Sequence, residues 1–494
     1  MIAVHLPILQ VVLPLIAAPL CVLFRARDLP WAIAAVATWT AFAISGLLLA
    51  QVYSVGVISY EIGDWAPPWG IEYRIDALNA FVLLVVSGVS AAVILFGRDS
   101  MLAEFGRSRE YLFYTAYLLT FCGLLGVTIT GDAFNLFVFL EISSLGTYVL
   151  IASGNNRRAL LASYQYLILG TIGATFIVIG VGFLYAMTGT LNMIDLAGRV
   201  QAYGANTTIV VAFTFLVVGA SLKLALFPLH LWLPAAYTYA PSMVSAFLAA
   251  TATKVGLYVL VRFVFTIFGP EFSFVTLSLG LPLAILALVG MFVTSTVAIF
   301  QNDVKRMLAF SSVAQIGYMV LGISIHTMLG VAAGLMHLFN HALMKGALFC
   351  AVGCIVYRVG SSRLDAFAGA GRRMPWTMAA FCTGGISLIG LPLTAGFVGK
   401  WYLVLALIDR GWWPLAVLVV LSSMLAVIYI WRVVEVAYFR DPLPEAGPVE
   451  EAPLSLLLPT WALAFANIWF GIETSLNVSG AFAAAESILG GFGS

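Results

Sequence analysis

Runs of about 20 predominantly apolar residues recur along this chain from Leu6 to about residue 475, and each is long enough to cross roughly 30 Å of hydrocarbon as a helix. In a bilayer the backbone has no water to bond, so such runs satisfy their own N–H and C=O groups as helices. Only 9% of the 494 residues are charged, against about 25% in a soluble domain, so a water-soluble surface is excluded. The predicted class is an all-α integral membrane protein of about fourteen spans: 6–24, 31–53, 77–97, 111–130, 132–152, 163–187, 207–227, 241–266, 275–300, 304–324, 328–356, 376–409, 412–440 and 453–475. The first run lacks the basic flank and small-residue cleavage site of a signal peptide and reads as a retained helix.

The connections are polar and rich in Gly, Pro and Arg, as at Ser361 to Met374 and Asp441 to Pro453, and leave no space for a soluble domain. The five cysteines lie in or beside apolar runs, where Cys behaves as a small hydrophobe. Neither a disulfide frame nor a metal site is indicated, and no flavin, haem or iron–sulfur motif is present, so the expectation is no cofactor. A net charge of +1 without a basic tract gives no reason for a nucleic-acid partner. The lipid bilayer is the medium of the whole chain.

Orientation follows from the loop Lys and Arg residues, which tend to stay cytoplasmic. Loops after odd-numbered spans hold fourteen (Arg25, Arg27, Arg98, Arg107, Arg109, Arg157, Arg158, Lys305, Arg306, Arg358, Arg363, Arg372, Arg373 and Arg440), and loops after even-numbered spans hold three (Arg74, Arg199 and Arg410). Both termini are therefore expected on the non-cytoplasmic side of a plasma membrane of the bacterial inner-membrane type.

Six basic residues remain inside spans: Lys223, Lys254, Arg262, Lys345, Lys400 and Arg432. Four of them are lysines, and the chain has only five lysines. Arginine stays charged wherever it is placed, whereas a lysine can give up its proton in an apolar site. A central Lys costs about 2.5–3.5 kcal/mol on insertion scales, so four of them point to proton movement rather than to fold stability. Glu141 is the acidic counterpart, about nine residues or roughly 14 Å of helix rise into its span. His337, His341 and Lys345 follow at i, i+4 and i+8, which puts them on one helix face as a relay ladder. The same spacing could hold zinc, but the HExxH glutamate is absent and a lysine one turn away disfavours a cation. Arg432 and Glu435, at i and i+3, read as a structural ion pair.

Two spans are broken by proline, at Pro228 in FPLHLWLP and at Pro392 in GLPLTAGFVGKWYL. Proline removes a helical hydrogen bond, and the freed backbone groups are tolerated at depth only where protein or water meets them. Paired broken helices are the sequence pointer to an inverted-repeat transporter. The expected organisation is an N-terminal three-helix segment (1–110), a first five-helix repeat of helices 4–8 (111–270), a second of helices 9–13 (271–440), inverted by its odd helix count, and helix 14 (441–494).

The strings GDAFNLFVFLEISSLGTYVLIA, GASLKLALFPLHLWLPAAY, NDVKRMLAFSSVAQIGYMVLG, HLFNHALMKGALF and GLPLTAGFVGKWYL resemble the antiporter-like subunits shared by respiratory complex I, membrane-bound hydrogenases and Mrp-type multisubunit cation/proton antiporters. The GD-FNLFVFLE segment and the Pro234-Ala235-Ala236 triplet look most like the D-type component of the Mrp antiporters. The resemblance implies fourteen helices, two inverted five-helix repeats, broken helices 7 and 12, and a proton path through Glu141, Lys223, Lys254, His337, His341 and Lys400. It also implies other membrane subunits as partners, with protons and, on the antiporter reading, sodium as the transported ions. The extra lateral helix of the longest members is not expected. A proton-pumping subunit beside a redox enzyme would use the same residues.

Overall fold

The computed structural model describes residues 2–442 and 450–490. Most of the connection read as Asp441 to Pro453, and residues 491–494 of the last segment, lie outside the described residues. In chain order the elements are α1 (Leu6–Leu23), α2 (Leu29–Val55), a hairpin of β1 (Ile58–Glu61) and β2 (Glu72–Ile75), α3 (Ala77–Glu104), α4 (Glu110–Ile129), α5 (Ala133–Ala152), α6 (Arg157–Thr188), α7 (Met193–Tyr203), α8 (Thr207–Leu224), α9 (Trp232–Tyr239), α10 (Ser242–Val261), α11 (Gly280–Ile299), α12 (Val304–Ser324), α13 (Met328–Val359), α14 (Ala370–Arg373), α15 (Pro375–Ile389), α16 (Ala395–Asp409), α17 (Trp413–Phe439), α18 (Leu454–Ile472) and α19 (Ser475–Leu489).

Among the described residues thirteen helices are long and apolar enough to cross a membrane. The fourteenth crossing is the broken pair α15 and α16. The other break separates α8 from α9: Ala225 ends α8 at φ +62°, and Pro228 lies in the irregular stretch that follows. In the second break Gly390 turns at φ +89° and Leu393 at +67° before Thr394 starts α16. These two sites are the broken helices 7 and 12 expected from proline.

The repeat, which leaves no visible identity in the sequence, is written in the backbone. Asp132 caps α5 through the Asn135 amide and forms an antiparallel bridge with Asn192. Asp303 caps α12 through the Arg306 amide and bridges Arg363 in the same way. Around the first bridge Ala133 N–H bonds the Leu191 carbonyl and Met193 N–H bonds that of Gly131; around the second, Val304 N–H bonds Ser362 and Leu364 N–H bonds Asn302. Every residue of the second set stands the same number of positions beyond its counterpart. The chain makes five crossings from the start of α5 to the start of α12, so the second clamp sits on the opposite face of the membrane.

The centre is formed by α10, α12 and α13. The most apolar windows of the α10 and α12 spans are 94% buried, against 33% for α17 at the periphery.

Four features depart from the sequence reading. The stretch before α3 pairs as a hairpin in the register Ile58 to Ile75, with strands too short for a periodicity signal. Helix α7 lies between crossings, capped by the Asn192 side chain on the Ile194 and Asp195 amides. The C-terminal stretch folds as two helices, α18 and α19, and α19 reaches across the molecule: Phe482 packs edge-on to Tyr402 of α16, and Ser487 and Ile488 reach the wall of a cavity beside Arg262. Arg432 and Glu435 do not pair. Arg432 donates to the Gln301 carbonyl and to Asn302, while Glu435 meets Arg440 at 3.3 Å.

Candidate functional site

Glu141 and Lys223 come together from α5 and the last turn of α8. Oε1 of Glu141 is 3.6 Å from Nζ of Lys223, and no group among the described residues hydrogen-bonds that oxygen. The ammonium instead donates to Oγ of Ser144, one turn from Glu141, at 2.8 Å. The Lys223 side chain is 4% exposed and that of Glu141 27%, so the acid is the outer member of the pair. The break beyond Lys223 is closed by protein donors: the Trp232 indole N–H bonds the Leu222 carbonyl at 3.0 Å.

Lys254 is wholly buried at the middle of α10 and donates to the Ala249 carbonyl and to Thr253. No direct hydrogen bond among the described residues joins it to Lys223 or to His341. On α13 His337, His341 and Lys345 are all buried, and the two imidazoles lie near-parallel with centroids 6.3 Å apart. Nε2 of His337 donates to Oε1 of Gln315 at 2.8 Å, which leaves Nδ1 as the basic nitrogen of the neutral ring. Among the described residues neither ring nitrogen of His341 has a hydrogen-bond partner. Lys345 turns to α12, bonding the Leu308 carbonyl at 2.8 Å and the Ser311 hydroxyl.

Lys400 sits where the twelfth crossing breaks. Its ammonium donates to the Leu388 and Ile389 carbonyls, both at 2.9 Å, which the break has released from helical bonding. It also lies 4.7 Å above the Tyr318 ring, whose centroid is 5.5 Å from that of His337. Gly399 lets α16 approach closely, since an added Cβ would stand 3.1 Å from His337 Nδ1. Snorkelling is excluded for Lys223, Lys254 and Lys400, which are at most 6% exposed.

Several residues of this axis escaped the sequence reading. Ser144, Ser311 and Gln315 are ordinary polar residues on membrane helices, and only the Gln, amid apolar neighbours, carried a signal. Lys305, next to Arg306, reads in the sequence as a loop charge. It is 3% exposed and bonds the Ala240 carbonyl, so all five lysines of the chain are buried.

A second polar cluster was missed because its members lie far apart in sequence. Arg262 pairs with Asp76 at 2.6 Å, donates to the Tyr258 hydroxyl at 3.0 Å and bonds Asn79, whose amide also donates to Tyr258 at 2.8 Å. A cavity of about 350 Å³ opens beside it, walled by the hairpin, α7, the start of α3 and the end of α19. Elsewhere on α7 Arg199 bonds Asp195 one turn earlier and holds its carboxyl below the usual range.

Residues 130–426, which hold both bridges and every residue of the axis, match the family described as NADH:quinone oxidoreductase/Mrp antiporter, TM. The chain belongs to this family. Relatives in the family are named as subunits of redox enzymes and as subunits of antiporters. The chain is 41% identical to the N subunit of the NADH-quinone oxidoreductase of Desulforudis audaxviator, covering 96% of this chain and 97% of that one. It is 30% identical to the D subunit of the Na(+)/H(+) antiporter of Alkalihalophilus pseudofirmus, over 98% and 97% of the two chains. In structure it resembles a chain of the Mrp complex from Dietzia sp. DQ12-45-1b, with a TM-score of 0.91, 25% identity and coverage of 100% and 98%. It is thus a multi-pass membrane protein with the architecture of the antiporter-like subunits.

Proposed function

We propose that this chain is the proton-translocating subunit of a multisubunit monovalent cation/proton antiporter of the plasma membrane, most like the D-type component of the Mrp antiporters, with sodium as the exchanged cation. The observation that carries the reading is the loose pair of buried Lys223 with half-buried Glu141, in a helix bundle whose lysines are all withdrawn from its surface. In the pair each charge supports the other. When Glu141 moves away, Lys223 is a desolvated cation and releases its proton through water to Lys254. From there His341 and His337 pass it toward Lys400, with Lys345 as a side branch on the same helix face. A proton crossing the full field is worth about 2.3 kcal/mol per 100 mV, so a pair-switching energy of a few kcal/mol is the right scale for a gate. Other membrane subunits of the complex supply or consume that energy. The bias of loop arginines supports a cytoplasmic face at the loops after odd-numbered crossings, with the hairpin and both termini opposite. The repeats are assigned to 111–270 and 271–440.

The test is proton flux in proteoliposomes of the complete complex. Lys223→Ala or Glu141→Ala is expected to abolish cation-dependent flux with the complex still assembled, and near-normal flux in either variant rules the scheme out.

The relative named as part of an NADH-quinone oxidoreductase, at 41% identity, favours a second reading, in which the same path serves a redox-driven proton pump. Mass spectrometry of the purified complex separates the two: small antiporter subunits support the first, and a polypeptide with iron–sulfur ligands supports the second.

A further inference from the structure

We propose that the cavity beside Arg262 is a proton port to Lys254, closed by the Asp76–Arg262 pair. The proposal rests on the lysine path above and adds to it an access route from the hairpin side.

Lys254, Tyr258 and Arg262 are spaced i, i+4 and i+8, so they climb one face of α10 from mid-depth to its end. Tyr258 is fully buried, and its hydroxyl oxygen accepts from both Arg262 and Asn79. Arg262 is 5% exposed, yet it lines the 350 Å³ cavity together with Asp76, Asn79 and Arg74. The guanidinium therefore stands between the cavity and the phenol. A buried arginine with a carboxylate at 2.6 Å and a phenol at 3.0 Å also suits a plain structural anchor, since Asp76 caps α3. An anchor, however, requires neither a phenol on the lysine face of α10 nor a cavity reaching the pair.

The step is a simple relay. With Arg262 swung aside, cavity water bonds the phenol oxygen in its place; one proton arrives on that oxygen as another leaves it for the neutral Lys254 amine. The Tyr O–H is restored, and one proton has moved inward. In the present structure Lys254 faces Ala249, away from Tyr258, so the relay is interrupted at both Arg262 and the amine.

Gly198 lies in the cavity wall with open space around the position of an added Cβ, which permits a plug placed after folding. In proteoliposomes of the intact complex, Gly198→Cys is treated with a bulky, charged methanethiosulfonate from either side, and flux is compared before and after in the same sample. The expected result is a loss of at least tenfold, from the hairpin side only, absent in the identically treated parent. Tyr258→Phe is expected to lower flux at least tenfold at equal complex content. Undiminished flux in the plugged protein, or in Tyr258→Phe, overturns the port. Lys254→Ala is measured alongside: its full activity sinks the lysine path itself, whereas its inactivity beside a freely conducting plugged protein sinks the port alone.

Discussion

Oε1 of Glu141 lies 3.6 Å from Nζ of Lys223, within ion-pair reach but beyond a hydrogen bond, while the Ser144 hydroxyl accepts the ammonium's hydrogen bond at 2.8 Å. The acid is thus held by charge alone and the lysine by a neutral hydroxyl, so the pair can part without breaking a direct bond between its members.

Ser144 should set how well Lys223 tolerates that parting. A hydrogen bond to a charged group is worth about 1.5–3 kcal/mol, so Ser144→Ala is expected to lower flux by roughly tenfold or more, and Ser144→Thr, which keeps the hydroxyl, by much less. Initial rates of dye-reported proton uptake check this; equal rates in both variants contradict the role.

Gln315 fixes the His337 tautomer. Gln315→Leu removes an acceptor worth about 1 kcal/mol and should lower flux about fivefold. Gln315→Glu should do more harm than Gln315→Leu, because a carboxylate at 2.8 Å holds the imidazole in its charged form and stalls the relay. The reverse ranking in flux assays counts against His337 as a carrier.

The second break depends on Gly396, where an added Cβ would run into the Ser387 carbonyl. Gly396→Ala must shift α15 or α16 at a cost of about 1–3 kcal/mol, displacing the Leu388 and Ile389 carbonyls from Lys400. The expected outcome is a complex with a lower thermal midpoint and flux reduced at least tenfold. Unchanged values of both would show that the break is more pliable than its geometry implies.

Outside the membrane, the Asp195 carboxyl is held below its ordinary range chiefly by its hydrogen bond to Arg199. A depressed carboxyl contributes stability above its unfolded value, about pH 3.9, and loses it as pH falls through the folded value. The pair is an exposed i, i+4 contact, worth at most ~0.5 kcal/mol. Asp195→Asn should therefore lower the thermal midpoint slightly at pH 7 in low salt and not at all near pH 2.5. An equal loss at both pH values assigns Asp195 a role other than its charge.

The crossings, the two breaks and the four lysines inside spans were legible because each rests on a local rule: span length, proline chemistry, or the cost of a buried amine. Contacts that depend on tertiary approach were not. Asp76 belongs to the N-terminal three-helix segment and Arg262 to the end of α10, so they meet only once α3 packs on α10, and Tyr258 reads as one aromatic among many. Lys305 sat beside Arg306 and read as a loop charge, yet its side chain turns inward to Ala240 while Arg306 lies outward over Phe310. The Arg432–Glu435 spacing suited a helical pair, but Gln301 and Asn302, from the turn before α12, take the arginine instead.

The matching clamps at Asp132 and Asp303 fix a common register for the two upside-down halves. In that register Ser312 occupies the place of Glu141, equally far beyond its aspartate. One half therefore meets its amine with a full negative charge and the other with neutral dipoles. The clamps thus superimpose a carboxylate on a hydroxyl, so two inverted halves that share a backbone register differ in charge at the same register position.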